Sequence, residues 1–213
     1  MQITQIQLLN KKRYKVYIDG AIAFVLYKGD LLHYELRETK EISQEMIDRI
    51  VEEVLCKRAS NRLLYLLQKK DYTEYQLREK LRDGYYPQQA IDAAISSMSQ
   101  YGYLNDERYT ARYIEFHMEN KSYREIQMSL MRRGISQEKI KATTEQLAED
   151  GIEQDTQGMI LRLLDKRHYH PQTAEQKETE KQVNYLLRKG FGIRDIKQAL
   201  KTIGNQWNSD EDT

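Results

Sequence analysis

The chain has 213 residues, of which 39% are hydrophobic and 31% charged, and its formal net charge is +1. A composition this rich in charge, with only two prolines, is typical of a helical protein with a large surface, and no stretch approaches the roughly 18 apolar residues of a membrane span. The near-neutral charge argues against a protein that binds nucleic acid along its whole length by neutralising phosphates.

The first 26 residues predict a small antiparallel sheet. Apolar residues alternate in three runs, which begin at Ile3, Tyr14 and Ile22, and a period of two is typical of a strand with one buried face. Asp19-Gly20 favours a type I′ hairpin turn, which needs positive φ, and Asn10-Lys11-Lys12 marks the turn before it. We therefore predict a three-stranded meander that packs on the rest of the chain, because so small a sheet is marginal alone.

From Ser43 onward the apolar period changes to that of a helix. Ile47, Ile50 and Val54 fall on one face, and Ser43 precedes them as a plausible N-cap. Nearly everything after this point predicts helix.

The rest of the chain repeats one pattern. Segments 71–102, 121–151 and 173–204 each open with a capping box and reach a glycine after basic residues, where we expect the αL conformation that ends a helix. A second helix then ends at another glycine, and one further apolar helix precedes each segment. The boxes are Thr73-x-x-Gln76, Ser122-x-x-Glu125 and Thr173-x-x-Gln176; the inner glycines are Gly84, Gly134 and Gly190; the outer glycines are Gly102, Gly151 and Gly204.

The pattern predicts a mostly α fold, with a tandem array of three three-helix repeats behind a small N-terminal antiparallel β-meander. Repetition at a period of roughly 45–50 residues is the signature of a modular, elongated helical array. The predicted boundaries are 1–57 for the meander and a leading helix, 58–104, 105–152 and 153–204 for the repeats, and 205–213 for an acidic tail that we expect to be disordered.

The stretch QYGYLNDERYTARY lies between the first two repeats. Gly102 ends one helix, Asn105 is placed to cap the next, and Asp106 suits its positive N-terminal end. Leu104 and Tyr109 have the spacing of a hydrophobic staple. We interpret the stretch as a joint between repeats, with its tyrosines packed into the joint rather than acting chemically.

No catalytic or metal-binding constellation is recognisable. His168 and His170 lack a third ligand at helical spacing, and Cys56 lies on an apolar helix face, where a core role is expected. Gly190-Phe191-Gly192 lacks the preceding strand and the further glycine of a phosphate loop. We therefore predict no cofactor and no metal. A single cysteine and the lack of an apolar N-terminal signal favour the cytosol.

Four segments in order carry a family resemblance: RYKVYIDGAIAFVL, RASNRLLYLLQKKDYTEYQLREKLRDGYYPQQAI, GYLNDERYTARY and MRRGISQEKI. Together they resemble the RecX family, regulators of the RecA recombinase, over essentially the whole chain. The family's joint reads Gly-Tyr-Leu-(Asp/Asn)-Asp before Arg-Tyr. The residues that fill it here are Gly102, Tyr103, Leu104, Asn105, Asp106, Arg108 and Tyr109.

The resemblance implies a fold and a function. The fold would be an elongated and curved string of three-helix modules, lying in the groove of the filament that RecA forms on single-stranded DNA. The protein would not be an enzyme; it would inhibit the filament's ATPase, strand-exchange and coprotease activities and so modulate recombination, DNA repair and the SOS response. The implied partner is the RecA filament, with its single-stranded DNA as a further contact and no membrane, and we expect a monomer.

Basic residues near the predicted helix ends are the candidates for partner contact. Cations there also stabilise the helix dipole, and tyrosines can either close a thin core or stack on a partner, so both roles remain open. The basic candidates are Arg58, Arg62, Lys69, Lys70, Arg78, Lys80, Arg82, Arg132, Arg133, Lys166, Arg167, Arg188 and Lys189. The tyrosine candidates are Tyr65, Tyr72, Tyr75, Tyr85, Tyr86 and Tyr113.

A second hypothesis is an autonomous DNA-binding protein built from helix-turn-helix-like units. Residues 157–204 favour it, since they hold ten Lys or Arg against five Asp or Glu, a net charge of +5. This hypothesis predicts affinity for DNA without RecA and a steep dependence on salt.

Overall fold

The computed structural model describes residues 1–170 and 173–210, with side chains described as far as Ile203. Its elements begin with the predicted sheet, in which β1 (Ile3–Asn10), β2 (Arg13–Ile18) and β3 (Ala21–Tyr27) pair antiparallel in that order. Asp19 and Gly20 have φ values of 47° and 84°, the two positive angles of a type I′ turn. The predicted meander and its hairpin are confirmed.

A bulge in β3 changes which of its residues are buried. Val16 pairs with Phe24, but the next residue, Tyr17, pairs with Ile22, so that Ala23 is the extra residue. One extra residue moves the remainder of a strand to the opposite face of the sheet. Ile22, which alternation placed on the core face with Phe24, is consequently 40% exposed.

One interrupted helix connects the sheet to the first repeat. Ser43 begins it as predicted, because its hydroxyl accepts a hydrogen bond from the Met46 N–H at 3.2 Å. A short helix that the sequence pattern did not predict, α1, lies between β3 and this point. The elements in order are α1 (Lys28–His33), α2 (Gln44–Ile50), a π-helical segment (Val51–Leu55) and α3 (Cys56–Leu67).

The π-helical segment keeps both ends of this helix on one core. Val51, Leu55, Ala59 and Leu63 are buried at spacings of four. In an α-helix of 3.6 residues per turn, each spacing of four rotates the side chain by about 40°, so repeated fours drift off the core face. The wider π turn takes up one residue and limits that drift.

The remaining helices form the three-helix repeats. After α3 come α4 Glu74–Arg82, α5 Gln88–Gln100, α6 Asp106–His117, α7 Tyr123–Met131, α8 Gln137–Glu149, α9 Thr156–Asp165, α10 Gln176–Arg188 and α11 Ile193–Asp210. Repeat 1 consists of α3, α4 and α5, repeat 2 of α6, α7 and α8, and repeat 3 of α9, α10 and α11. None of the helices among the described residues is both long enough and apolar enough to cross a bilayer.

The buried apolar residues that the structure describes fall into three clusters. The first lies in the compact unit Met1–Asp106 and joins the sheet, α2 and repeat 1 into one core. The unit Glu107–Thr213 holds the other two, one in repeat 2 around Leu130 and one in repeat 3 around Leu164. Each repeat therefore has its own core, and the sheet shares the first.

The second helix of repeats 2 and 3 ends at the predicted glycine. Gly134 has φ 83°, and the N–H of the next residue, Ile135, donates to the Leu130 carbonyl at 3.2 Å. Repeat 3 has the same geometry at Gly190, with φ 88°. A left-handed residue with a hydrogen bond back over five positions is the usual glycine-terminated helix end.

Repeat 1 ends its second helix at a tyrosine instead. The equivalent bond runs from the Tyr86 N–H to the Leu81 carbonyl at 3.2 Å, and the left-handed residue is Tyr85, with φ 60°. The prediction that Gly84 takes this conformation is wrong. The Lys15 ammonium donates to the Tyr85 hydroxyl at 3.0 Å and lies 4.3 Å from its ring centroid, which offsets a backbone cost of roughly 1–2 kcal/mol.

Two helix ends predicted for repeat 3 are also wrong. The N-cap of α10 is Glu175, because the Thr173 N–H donates to the His170 carbonyl in a turn ahead of the helix. The helix α11 continues through Gly204 to Asp210, since glycine inside a helix costs only about 1 kcal/mol. Residues 211–213 of the predicted tail lie outside the described residues.

Candidate partner-binding surfaces

Arg58 is bound within the fold. Its guanidinium contacts the two carboxylate oxygens of Asp30 at 2.6 and 2.9 Å and lies 4.6 Å from the ring centroid of Tyr27. Burial opposes ionisation of Asp30, but the hydrogen bonds from Arg58 and from the Tyr27 N–H outweigh it and lower the pKa of the carboxyl. Arg58 thus ties α3 to α1.

The arginines of α4 also have carboxylate partners. Arg78 contacts Glu74 at 2.7 Å and Asp92 at 2.5 Å, so that it bridges α4 and α5. Arg82 pairs with Glu79 one turn earlier on its own helix. Both are satisfied inside repeat 1.

Two arginines of the second unit lie over tyrosine rings. Arg167 donates to the buried Gln182 side chain at 2.6 Å and its guanidinium lies 4.3 Å from the Tyr185 centroid. Arg133 lies 4.7 Å from the Tyr113 centroid. These contacts close the cores of repeats 3 and 2.

Tyr113 belongs to an aromatic stripe along α6. Its ring is stacked on Tyr109 at 6.2 Å and meets His117 edge-on at 4.2 Å, and the Lys121 ammonium is 3.5 Å from its hydroxyl. Burial, then the charges of Lys121 and Arg133, lower the pKa of His117. The stripe is half-buried and packs against the repeat 2 core.

A first exposed surface combines cations with tyrosines on repeat 1. Lys69 and Arg62 lie 4.3 and 5.7 Å from the ring centroid of Tyr65. Lys70 and Lys80 lie 4.8 and 5.6 Å from the ring centroid of Tyr72. We call this surface the α3–α4 patch; its residues are Arg62, Tyr65, Lys69, Lys70, Tyr72 and Lys80.

Tyr65 is the most open ring of the α3–α4 patch. It is 48% exposed, and the Lys69 ammonium lowers the pKa of its hydroxyl through hydrogen bonding and through charge. Tyr75 on α4 is equally exposed at 48%, but no cation of the described residues lies over its ring. Exposure alone therefore does not define the patch.

A second exposed surface follows α7. Arg124, Met128 and Arg132 are four residues apart and exposed, so they form one stripe of the helix. Met128 at the centre is 46% exposed. At 1.5 Å per residue the two arginines lie about 12 Å apart along the axis.

The end of α10 extends this stripe. The Ser122 hydroxyl, which caps α7, donates to the Lys189 carbonyl at 2.6 Å. A Cβ on Gly190 would lie 3.3 Å from the Cβ of Arg124. Arg188 and Lys189, both exposed, therefore lie beside Arg124. We call Arg124, Met128, Arg132, Arg188 and Lys189 the α7 strip.

The four cations of the α7 strip form no ion pair with a carboxylate in the part of the chain that the structure describes. Sequence reasoning included three of them but missed Arg124 and Met128. A search for exposed residues at i, i+4 and i+8 along α7 finds both. The position of Arg124 beside the end of α10 depends on the tertiary fold.

The turn geometry corrects which basic positions are equivalent between repeats. Alignment on Tyr85, Gly134 and Gly190 places Asp83-Gly84 opposite Arg132-Arg133 and Arg188-Lys189. The basic pair before the turn therefore recurs in repeats 2 and 3 but not in repeat 1. Arg82, although it also precedes a glycine by two residues in the sequence, does not share this position, because the left-handed residue in repeat 1 is Tyr85 and not Gly84.

Lys166 lines a separate groove between α6 and α9. The groove has a volume of about 660 Å³, with Met118 and Met159 among its apolar residues and Glu115 and Arg162 among its charged ones. Its lining mixes both charges. Among the described residues, no cluster of three or more His, Cys, Asp or Glu side chains is arranged to hold a metal ion.

The joint motif has a buried and an exposed part. Gly102 has φ 70°, Leu104 is buried, and the Asp106 carboxylate accepts the Glu74 N–H at 2.9 Å, which caps α4. Tyr101 and Tyr103 are 74% and 55% exposed, so the prediction that the joint tyrosines are packed is wrong for these two. The predicted cap by Asn105 stays a prediction, and Arg108 is exposed.

A regulatory protein RecX from Caldanaerobacter subterraneus subsp. tengcongensis is 32% identical to this chain, over 94% of this chain and 98% of its own length. The chain belongs to the RecX family. A regulatory protein RecX from Clostridium beijerinckii is 28% identical over 93% of both chains. Family models of the first and the third RecX three-helix domain match residues 59–98 and 153–200, which correspond to repeats 1 and 3.

Solved RecX structures share the fold. A crystal structure of regulatory protein RecX superposes with a TM-score of 0.58 at 21% identity, over 96% of this chain and 98% of that chain. RecX from Lactobacillus salivarius gives a TM-score of 0.59 at 18% identity, over 70% of this chain and 97% of its own. The chain therefore has the helical architecture of these RecX structures.

Proposed function

We propose that this chain binds the RecA–single-stranded DNA filament and inhibits its ATPase, strand-exchange and coprotease activities, which modulates recombination and the SOS response. The observation that carries the proposal is the full-length match to a regulatory protein RecX, at 32% identity over 94% of this chain. The protein acts in the cytosol as a binding regulator and not as an enzyme.

The organisation into repeats supports this proposal. A filament presents the same surface on every protomer, and repeats with separate cores present similar helix ends at several points of one chain. The basic pair before the helix-ending glycine recurs in repeats 2 and 3, and Arg132, Arg188 and Lys189 of these pairs are exposed and available to a partner.

We assign the RecA contact to the α7 strip. Arginine and methionine are enriched in the cores of protein interfaces, where an apolar centre excludes water around charged contacts. Met128 provides such a centre between Arg124 and Arg132, and the cations of the strip have no carboxylate partner among the described residues. The fitting partner surface is acidic with an apolar centre.

Titration of the chain into a RecA–single-stranded DNA ATPase assay tests the proposed function. ATP hydrolysis should fall as the chain is added and reach a plateau once the filament is saturated. Undiminished hydrolysis at equimolar chain would contradict the proposal. Co-pelleting with assembled filaments measures binding separately from inhibition.

Charge reversal in the α7 strip tests the assigned surface. The variant Arg132→Glu/Arg188→Glu should need at least about tenfold more protein for half inhibition, because like charges across an interface oppose association. Lys141→Glu/Lys197→Glu makes the same change in net charge on exposed positions of α8 and α11 and should inhibit like the parent. Equal loss in both variants, or loss of helicity by circular dichroism, would remove the assignment.

The second candidate, an autonomous DNA-binding protein, is favoured by the exposed cations of repeat 3. Lys166 and Arg188 have no carboxylate partner among the described residues. Affinity for duplex DNA without RecA, measured against salt, decides between the two. Weak binding that releases only one or two ions would reject a dedicated DNA-binding protein.

A further inference from the structure

The α3–α4 patch belongs to the first unit, whereas the surface assigned to RecA belongs to the second. Arg62 and Tyr65 are three residues apart on α3, and Lys69, in the turn that follows the helix, brings its ammonium to 4.3 Å from the same ring centroid. Lys70 and Tyr72 continue the patch through the following loop, and Lys80 of α4 reaches the same ring at 5.6 Å from its centroid. Two groups, each of two cations around one ring, are thus joined through the adjacent residues Lys69 and Lys70, with Tyr65 exposed and Tyr72 half-buried against the core.

The cations of the α3–α4 patch contact tyrosine rings but are not neutralised by a carboxylate among the described residues. None of its four cations forms an ion pair with a carboxylate within the described ranges, whereas Arg58, Arg78 and Arg82 of the same repeat all do. Asp71, the acidic residue of the loop, makes contacts of its own. The patch therefore keeps its positive charge for an external anion.

The combination of residue types selects a class of ligand. Lysine is depleted from the cores of protein interfaces, and its compact, strongly hydrated charge suits phosphate more than an apolar contact. Exposed tyrosines among cations are the arrangement on which single-stranded nucleic acid binds, with bases stacked on rings and phosphates held by the cations. The bases of a duplex are already stacked on each other and cannot use the rings.

We infer that the α3–α4 patch binds single-stranded DNA directly, with a base stacked on Tyr65 and the backbone phosphates beside Arg62, Lys69, Lys70 and Lys80. The inference rests on the proposed function for its setting, because the filament supplies the single-stranded DNA. It adds a nucleic-acid contact in repeat 1 to the protein contact assigned to the α7 strip.

The experiment measures fluorescence anisotropy of a labelled oligo-dT, with the full chain and no RecA. Tyr65→Ala should weaken binding at least about fivefold, as expected for loss of one stacked base, and Tyr65→Phe should bind like the parent because the ring remains. Tyr75→Ala is the matched control, since both tyrosines are 48% exposed, and it should leave binding unchanged. Lys69→Ala/Lys70→Ala should lower the slope of log K against log salt by about 1.4, or about 0.7 per cation.

Several results would overturn the inference. Equal effects of Tyr65→Ala and Tyr75→Ala would show that the Tyr65 ring contributes no more to binding of oligo-dT than an exposed tyrosine outside the patch. Competition by poly-glutamate as strong as by unlabelled oligo-dT would make the patch a site for acidic polypeptides. Tighter binding of oligo-rU than of oligo-dT would assign it to RNA. Circular dichroism of each variant confirms that the helices are retained.

The RecA ATPase assay on the same proteins separates the two proposals. If the parent chain inhibits RecA but shows no affinity for oligo-dT, the inference about the α3–α4 patch is contradicted and the proposed function is retained. A parent chain that binds oligo-dT through Tyr65 but does not inhibit RecA at equimolar protein sustains the patch and removes the proposed function.

Discussion

Substitution of Gly190 by alanine tests how repeat 3 is attached to α7. Gly190 has φ 88°, and a Cβ placed on it would lie 2.6 Å from the Ser122 hydroxyl. That hydroxyl is buried, donates to the Lys189 carbonyl at 2.6 Å and accepts the Glu125 N–H at 3.3 Å. The new methyl group therefore has to displace a side chain that makes two hydrogen bonds.

The expected loss of stability is about 3 kcal/mol. A left-handed alanine costs roughly 1–2 kcal/mol, and the smaller conformational entropy of unfolded alanine returns roughly 0.5–1 kcal/mol. Two disturbed hydrogen bonds add roughly 0.5–1.5 kcal/mol each. Gly151→Ala has a similar φ of 80° but no atom within 4 Å of its Cβ, so it should cost only about 1 kcal/mol.

Urea unfolding followed by far-UV circular dichroism measures both variants, and a double-mutant cycle identifies the cause. In a Ser122→Ala background the obstructing hydroxyl is gone, so Gly190→Ala should cost only about 1 kcal/mol, as at Gly151. Additive effects of Ser122→Ala and Gly190→Ala, or equal losses at Gly190 and Gly151, would refute the contact between the end of α10 and the start of α7.

Two further predictions concern ionisation. Asp30→Asn should destabilise the chain by about 2 kcal/mol at neutral pH, because Arg58 loses a partly buried partner. Since the pKa of Asp30 is lowered on folding, the difference in stability between parent and variant should be complete above about pH 4 and vanish as the pH falls through the lowered pKa. The folded pKa of His117 lies below its unfolded value of 6.5, so the contribution of this residue to the free energy of unfolding is complete above that pH and is lost as the pH falls toward the folded value. His117→Gln should flatten this part of the curve of unfolding free energy against pH. An unchanged curve would contradict the burial of the imidazole beside Lys121 and Arg133.

The local elements of the fold could be predicted because short-range chemistry determines them. Asp19-Gly20 suits a turn with two positive φ angles, and Ser43, Thr73 and Ser122 each begin a helix as N-caps. These signals need only neighbouring residues. Apolar periodicity then gives the helices and their grouping into repeats.

Long-range contacts decided what the sequence pattern missed. Tyr85 takes the left-handed position in repeat 1 because Lys15, 70 residues earlier, binds its hydroxyl. Nothing near Gly84 in the sequence reveals this. The bulge at Ala23 likewise depends on the register between β2 and β3 and reverses the exposure of Ile22.

The candidate surfaces, too, could be predicted from the sequence only where neighbouring residues determine them. Arg62 and Lys69 lie three and four residues from Tyr65 in the sequence, so this part of the α3–α4 patch is visible in the spacing of its residues. Arg58 has the same sequence character but is neutralised by Asp30, 28 residues earlier. Charge can be counted from the sequence, whereas its availability to a partner depends on the tertiary contacts.

The π-helical segment gives the first unit a place where the chain length can change by one. Because its wide turn holds one residue more than an α-helical turn, removal of the exposed Glu52 should leave a continuous α-helix with α2 and α3 still facing the same core. The same deletion inside Cys56–Leu67 would rotate everything after it by about 100°. A single-residue deletion is therefore tolerable at one turn of this helix and disruptive one turn later.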